Sequence, residues 1–122
     1  MRNEWIEHRR GIDGERLGWM RPVGDNFVAV DLLGRDITEP VDWLVAEETL
    51  DDLGIGYLAD IYELQVDTGW LRVRLVEVTA TEIRVKKDDY GDMTAEQVYY
   101  TVANPMPEGL RARGTKNSPA GA

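Results

Sequence analysis

A run of alternating arginine and aliphatic residues holds the side chains best suited to bind an anion. Arg72 and Arg74 alternate with Leu71, Val73 and Leu75. Because the side chains of a β-strand point alternately to its two sides, the arginines share one face and the aliphatic residues share the other. Guanidinium groups bind carboxylate or phosphate through paired N–H donors. The run therefore predicts a strand with a cationic side and a core side.

A second strand and one tryptophan extend the cationic side. Arg84 and Lys86 alternate with aliphatic residues in the next strand-like run, and Trp70 has the same parity as the arginines of the first run. An aromatic ring can stack on a nucleobase or on another guanidinium group. We call the predicted binding residues the cationic face: Trp70, Arg72, Arg74, Arg84 and Lys86. The less specific alternative is an ordinary solvated face, partly neutralised by Glu63 and Glu82, since antiparallel sheets commonly expose one polar side.

Loop lengths decide whether the aliphatic residues of neighbouring strands meet. Residues directly opposite each other in antiparallel strands point to the same side, so a slip of one residue exchanges the faces. A two- or four-residue loop after the first strand pairs Leu64 with Leu71, and an odd loop around residues 79 and 80 places Leu75 opposite Ile83 or Val85. The predicted core face contains Tyr62, Leu64, Leu71, Val73, Leu75, Ile83 and Val85.

An acidic helix is the second candidate for binding a partner. The segment from Asp42 to Leu53 predicts a helix, with Asp42 as its N-cap and Gly54 in the left-handed conformation that commonly ends helices. Its predicted apolar side consists of Trp43, Ala46, Leu50 and Leu53. The predicted partner-binding residues on the acidic side are Leu44, Glu47, Glu48 and Asp51. A solvated acidic surface that serves solubility is the alternative.

The remaining residue types give no positive support for catalysis or for a cofactor. The sequence has no cysteine, which excludes thiol nucleophiles and thiolate metal sites within it. His8 is the only histidine and fits an exposed or edge-strand position. The acidic residues between Asp88 and Glu96 fail the calcium-loop pattern, because its third and sixth positions are Tyr90 and Met93. We predict no catalytic residue, no metal and no cofactor, and favour a non-enzymatic protein over an enzyme.

Charge and length restrict the class of protein further. The 122 residues carry a formal net charge of −9, with a pI near 4.5. An acidic chain attracts nucleic acid and anionic membranes poorly, so nucleic acid is disfavoured as a partner. No apolar run is long enough to span a bilayer or to serve as a signal peptide, which predicts a cytoplasmic protein. We predict one domain over residues 1–113 and a disordered tail over residues 114–122.

Turn signals divide the rest of the chain into short strands. Strands are predicted at 4–10, 15–21 and 26–32, then in the central meander 61–87, and finally at 97–103, after which Pro105 and Pro107 stop regular pairing. We therefore predict a mainly β (α+β) fold. Two meanders, with one α-helix at about 42–53 between them, build a small antiparallel barrel or a strongly twisted sheet. Trp43, Leu50 and Leu53 of the helix are expected to cover an open side.

Several short sequence patterns lie between Glu15 and Pro107. They are Leu33-Gly34-Arg35, Glu39-Pro40, Tyr57-Leu58-Ala59-Asp60, Tyr62-Glu63-Leu64, Val73-Arg74 and Lys87-Asp88-Asp89-Tyr90-Gly91, together with the acidic helix. In these patterns the chain resembles a family of small uncharacterised bacterial proteins. The resemblance implies one cytoplasmic domain and transfers no active site.

These features favour a non-enzymatic interaction module that uses the cationic face, the acidic helix, or both. The partner is an unknown protein or a second copy of the chain, whose acidic helix would lie against the cationic face. The alternative is a small enzyme or ligand carrier with a pocket at the mouth of the barrel, which requires a deep cleft with converging buried polar groups. The third hypothesis is nucleic-acid binding by the cationic face, which requires affinity that falls steeply with salt.

Overall fold

Two antiparallel sheets and one α-helix make up the fold. The computed structural model describes residues 4–88, 94 and 96–113. Within these residues the fold is mainly β, as predicted. Neither sheet closes into a barrel in the described part of the chain, and the twisted-sheet alternative agrees with the structure. The chain divides into two compact units, Met1–Tyr57 and Leu58–Ala122, and the single domain over 1–113 stays a prediction.

The first unit holds a three-stranded sheet. The chain segment that follows the third strand covers the outer edge of that strand. The strands, in spatial order, are β1 (Ile6–Arg9), β2 (Arg16–Val23) and β3 (Asn26–Val30). The segment after β3 turns back along this strand. Phe27 and Val41 exchange backbone hydrogen bonds of 2.7 and 2.8 Å, and the N–H of Ile37 donates to the carbonyl of Ala29 at 2.7 Å.

The helix α1 (Trp43–Leu53) has the predicted residues at both caps, but the ψ of Gly54, −149°, lies outside the left-handed helical conformation predicted for it. The carboxylate of Asp42 accepts a hydrogen bond from the N–H of Val45 at 2.9 Å, and Gly54 has a φ of 63°. The buried side is narrower than predicted, because Trp43 and Leu53 are 39% and 38% exposed. The core of this unit consists of Leu17, Met20, Ala29, Ala46 and Leu50, with Phe27, Ile37, Val41 and Ile55 packed against it. No helix in residues 4–88, 94 and 96–113 has the length and hydropathy to cross a membrane.

The second unit is a five-stranded sheet. A short 3₁₀ helix, Gly56–Ala59, precedes this sheet in the chain, and the sheet itself has strands from residue 61 onward. Its strands are β4 (Ile61–Val66), β5 (Gly69–Val78), β6 (Glu82–Lys87), β7 (Tyr99–Ala103) and β8 (Leu110–Ala112), in the spatial order β7-β6-β5-β4-β8. The expectation that pairing ends at Pro105 is wrong, because β8 pairs with β4 after both prolines. Three residues offer too little alternation to predict a strand.

The register predicted for the first hairpin of this sheet is confirmed. Leu64 pairs with Leu71 across the two-residue loop 67–68. In the second hairpin Leu75 pairs with Val85, as predicted, but the prediction of an odd loop around residues 79 and 80 is wrong. Residues 79–82 separate the last paired residues and form an even loop, and a bulge at Val76 supplies the extra residue.

The predicted core face is buried on the side expected. Tyr62, Leu64, Val73, Ile83 and Val85 are at most 6% exposed, whereas Leu71 and Leu75 are half-buried. The strand predicted at 97–103 is β7, two residues shorter at its start. The segment between the strands predicted at 61–87 and 97–103 lies largely outside the described residues, and the tail predicted at 114–122 lies wholly outside them.

Candidate functional site

The five-stranded sheet carries all five residues of the cationic face on one side. Arg72 lies opposite Glu63, and Arg74 lies opposite Lys86, so these side chains point away from the core face. Trp70 shares the parity of the two arginines on β5, and Arg84 shares the parity of Lys86 on β6. The placement of Trp70, Arg72, Arg74, Arg84 and Lys86 is the predicted one, and their role in binding stays a prediction.

A buried carboxylate ties the two central arginines together. The Asp88 side chain is only 4% exposed, and its Oδ2 accepts a hydrogen bond from Nη2 of Arg72 at 3.0 Å. Its Oδ1 lies 3.4 Å from Nε of Arg74, whose side chain is 55% exposed. The N–H of Asp88 also donates to the carbonyl of Arg72 at 3.0 Å. Asp88 therefore orients two guanidinium groups on the sheet surface.

Arg111 belongs to the same side of the sheet, although the sequence did not predict it. From β8 its side chain reaches across β4, and its guanidinium carbon lies 3.7 Å from the ring centroid of Trp70. Its Nε donates to Oε1 of Glu63 at 2.8 Å. Trp70 therefore stacks on a guanidinium group, one of the two partners that the sequence allowed. The only available signal was the alternation around Arg111 in the short strand β8.

Arg84 rests on an aromatic ring of the neighbouring strand. Its guanidinium carbon lies 4.5 Å from the ring centroid of Tyr99, which is 44% exposed on β7. No ion pair of Arg84 is found among residues 4–88, 94 and 96–113. Arg84 and Arg74 are the exposed arginines of the cationic face, whereas Arg72 and Lys86 are half-buried. The exposed donors of the face are therefore mainly those of Arg74 and Arg84.

The charge on this side of the sheet is close to balance. Strand parity places five cations there, Arg72, Arg74, Arg84, Lys86 and Arg111, and four carboxylates, Glu63, Glu77, Glu82 and Asp88. Their sum is one positive charge, whereas the whole chain carries −9. The surface can attract a carboxylate locally but lacks the charge excess that a polyanion prefers.

Two of the four predicted residues on the acidic helix contact a histidine of their own unit. Nε2 of His8 lies 2.9 Å from Oδ1 of Asp51, and Nδ1 lies 3.8 Å from Oε2 of Glu47. The His8 side chain is 12% exposed and belongs to the edge strand β1, as predicted. Leu44, 60% exposed, and Glu48 remain at the surface. Part of the acidic helix surface is thus used to hold β1 against α1.

A cleft on the five-stranded sheet bears on the enzyme or carrier alternative. Its volume is about 570 Å³, within the range of small-molecule sites. Its lining consists of Leu64, Gln65, Val66, Asp67, Thr68, Tyr100, Thr101 and Val102. The amide, carboxylate and hydroxyl groups of Gln65, Asp67 and Thr68 belong to exposed residues. This lining does not provide the converging buried polar groups that the alternative requires.

The described residues contain no arrangement that could hold a metal ion. No three His, Asp or Glu side chains there are close enough to coordinate one. Asp89 and Asp92, two acidic residues of the rejected calcium loop, lie outside the described residues. Of the two described carboxylates of that loop, Asp88 binds arginine instead and Glu96 is exposed.

Comparison with known proteins adds no function to this geometry. No protein-family model, curated protein or solved structure matches the chain. The resemblance to a family of small bacterial proteins therefore stays a prediction. Function has to be inferred from the side chains of the chain itself, and the structure brings the five residues of the cationic face together on one side of a sheet.

Proposed function

We propose that the protein is a non-enzymatic interaction module whose cationic face binds an acidic segment of a partner protein. One observation carries this proposal: the arginines of the face are held in place before any partner arrives. Asp88 orients Arg72 and Arg74, and the ring of Tyr99 supports Arg84. A pre-oriented guanidinium group loses less conformational freedom when it binds a carboxylate, so more of the interaction energy remains as affinity.

An acidic protein segment fits this face better than nucleic acid does. Arg111 covers one side of the Trp70 ring, so that side is not open for a base to stack on. The local balance of one positive charge would release few counterions from a nucleic-acid backbone. A short segment with a few carboxylates can instead contact Arg74 and Arg84 individually. Nucleic-acid binding stays the third hypothesis and is an outcome of the experiment below.

We also propose a cytoplasmic location for this module. The support is compositional, since the sequence has no cysteine and needs no disulfide to build its core. Such a chain fits a reducing compartment. Fluorescence microscopy of the tagged protein in a bacterial host tests this proposal, and signal confined to the cell envelope would contradict it.

Charge reversal of the two cations that β6 contributes to the face tests the binding proposal. The variant Arg84→Glu combined with Lys86→Glu should weaken binding of a fluorescein-labelled peptide of alternating glutamate and leucine by about tenfold at low salt. These two positions avoid Arg72, whose reversal would place a second carboxylate against the buried Asp88 and destabilise the sheet. Fluorescence anisotropy at several salt concentrations measures the affinity.

The matched control reverses the same number of charges away from the face. Lys87 is exposed on the same strand β6 but has the opposite parity, and Arg9 is exposed on β1. The double variant Lys87→Glu and Arg9→Glu should bind the peptide nearly as well as the unaltered chain. Equal weakening by both variants would show that only net charge matters. Tighter binding of single-stranded DNA than of the peptide would favour the nucleic-acid hypothesis instead.

A further inference from the structure

Three of the four sheet edges formed by the described strands carry features that prevent pairing with another chain. The edge strand β1 has three ionisable side chains, Glu7, His8 and Arg9, and a bulge beside Arg9. The outer edge of β3 is bridged by the returning segment through Val41 and Asp36. The edge strand β8 is only three residues long and has Arg111 at its centre. Charges, bulges, covering segments and short edges are the usual means by which sheets avoid unwanted pairing.

The fourth edge, β7, has none of these features. Its sequence is Tyr-Tyr-Thr-Val-Ala, without a charge or a proline, although 30% of the residues in the chain are charged. Its register with β6 is regular over all five residues, so no bulge twists the edge away. Its β-branched and aromatic side chains favour extended backbone. β7 is therefore a strand of ordinary length whose outer edge pairs with no strand in the described part of the chain.

The register shows which backbone groups of β7 point outward. Val98 accepts a hydrogen bond from the N–H of Lys87 at 2.8 Å, and the N–H of Asn104 donates to Thr81 at 3.0 Å. Backbone groups of an antiparallel strand alternate between its two neighbours, so Tyr100 and Val102 also pair with β6. The N–H and C=O groups of Tyr99, Thr101 and Ala103 therefore point away from β6. No strand among the described residues pairs with that edge.

We propose that β7 pairs antiparallel with β7 of a second copy, with Thr101 on the two-fold axis. This register joins the outward groups of Tyr99 to those of Ala103, and those of Thr101 to the same residue of the other copy. Each of the three pairs exchanges two hydrogen bonds, which gives six. An axis at any other residue would leave some of the outward groups of β7 without a partner in the β7 strand of the other copy. The occupant of the edge is thus a second copy of this chain.

The side chains of β7 are complementary to themselves in this register. Thr101 faces Thr101, and the ring of Tyr99 faces Ala103, which leaves room for it. On the other side of the strand Tyr100 faces Val102, an aromatic and β-branched pair of the kind that stabilises sheets. All of these side chains are uncharged, so two chains of net charge −9 meet where neither carries a charge at the seam.

The pairing places both cationic faces on the same side of one continuous sheet. Directly opposite residues of antiparallel strands share a side, so the two copies of Tyr99, each beneath an Arg84, lie next to the seam. The two β6 strands are three strand spacings apart, about 14 Å. This exceeds the Debye length of about 8 Å at physiological salt, so repulsion between the two faces is largely screened. The dimer would present two adjacent copies of the cationic face.

The first test measures the oligomeric state of the full chain. Sedimentation velocity from about 10 µM to about 1 mM should show a reversible monomer–dimer equilibrium, since an interface of one strand pair is small. Thr101→Lys places two ammonium groups opposite each other and should raise the dimer dissociation constant by about tenfold at low salt. Ile12→Lys adds the same charge at a residue of the first unit that is 90% exposed, and should leave the dimer intact.

Mixing variants identifies the two-fold register. Thr101→Lys and Thr101→Glu should each be mainly monomeric alone and should form a heterodimer when mixed, because opposite charges then meet on the axis. Hydrogen exchange gives a second readout. The amides of Tyr99, Thr101 and Ala103 should gain protection as the concentration rises, whereas those of Tyr100 and Val102 should not change.

Two outcomes would overturn the inference. If the chain stays monomeric at every concentration, β7 does not pair with a second copy. The edge would then be available to an extended segment of a different protein. A dimer unaffected by Thr101→Lys must use another surface. Neither outcome bears on the binding of the glutamate peptide, so the dimer and the proposed function can fail independently.

Discussion

Each unit of the molecule buries a carboxylate against arginine, and the two carboxylates serve different ends. Asp31 in the first unit is fully buried and accepts hydrogen bonds from the N–H groups of Leu33 and Arg35 at 2.9 and 3.0 Å. It also accepts one from Nε of Arg35 at 2.7 Å, so all its partners lie within the turn 31–35. Asp88 in the second unit orients Arg72 and Arg74 at the sheet surface. One carboxylate closes a turn, and the other holds two arginines at the surface of a sheet.

The same contrast extends to the rest of the two units. In the first unit polar groups complete the fold: His8 joins β1 to the helix, and the segment after β3 closes the sheet edge. In the second unit polar groups are presented at the surface. They are the side chains of Arg74 and Arg84 on the face and the outward backbone groups of β7. We therefore expect substitutions in the first unit to affect mainly stability, and substitutions on the second sheet to affect mainly binding and association.

Gly18→Ala should give the largest loss of stability. Gly18 lies on β2 with a φ of 154°, and an added Cβ would overlap the carbonyl oxygen of Val30 and lie 3.1 Å from Cδ2 of Leu50. Neither the backbone of β3 nor the buried side chain of Leu50 can move without disturbing the core. We expect a loss of about 4 kcal/mol in the free energy of unfolding, measured by urea denaturation.

Gly11→Ala is the matched control for this change. A Cβ at Gly11 meets no atom within 4 Å. Its effect should stay within about 0.5 kcal/mol, as for most surface substitutions. Hydrogen exchange followed in both units shows whether the damage from Gly18→Ala stays within the first unit. Similar stabilities of the two variants would disprove the tight contact between β2, β3 and the helix.

Asp31→Asn should rank second. The amide that replaces one carboxylate oxygen must place a donor against Nε of Arg35 or leave a backbone N–H of the turn unpaired. Because Asp31 and Leu33 are fully buried, water cannot replace the acceptor of the Leu33 N–H. We expect a loss of about 3 kcal/mol by urea denaturation.

Asp88→Asn should cost less and alter the surface more. Its arginine partners are 28% and 55% exposed, so water can solvate them when the carboxylate is removed. We expect a loss of about 1 to 2 kcal/mol. The Nε–H resonances of Arg72 and Arg74 should lose chemical-shift dispersion in NMR spectra as these side chains become mobile. Equal losses for Asp31→Asn and Asp88→Asn, with unchanged arginine resonances, would remove the contrast between the two carboxylates.

The sequence predicted the central hairpins well because their alternation is unusually regular. Leu71, Val73 and Leu75 alternate with Arg72 and Arg74, so only one register turns all three toward the core face, and that register is observed. The helix caps were equally readable, since Asp42 and Gly54 are residue types with specific roles at helix ends. Exposure of Trp43 and Leu53 was not predictable from periodicity, because the arc of a helix does not reveal how wide a surface it packs against.

The site was predicted in position but not in its internal contacts. Parity placed Arg72, Arg74 and Arg84 together without knowledge of strand order. The roles of Asp88 and Arg111 depend on contacts across strands, Asp88 with Arg72 and Arg111 with Trp70, which are distant in sequence. Such contacts leave no local pattern in one sequence. The unprotected edge of β7 likewise became visible only once the strand order showed which strands are outermost.

Asp13→Asn should give the smallest effect and tests an exposed counterpart of the buried carboxylates. A hydrogen bond from Arg10 and another from the N–H of Glu15 lower the pKa of Asp13. The contact between Arg10 and Asp13 also raises the pKa of Arg10. Because the folded pKa lies below the unfolded value of about 3.9, the stabilisation is complete above that pH and disappears as the pH falls through the folded pKa. The melting temperature of Asp13→Asn should therefore lie slightly below that of the unaltered chain near neutral pH and converge with it in acid. Thermal denaturation across this pH range measures the difference. A gap that stays constant with pH would mean that the carboxylate charge contributes nothing, and that carboxylate–arginine contacts matter in this protein only where they are buried.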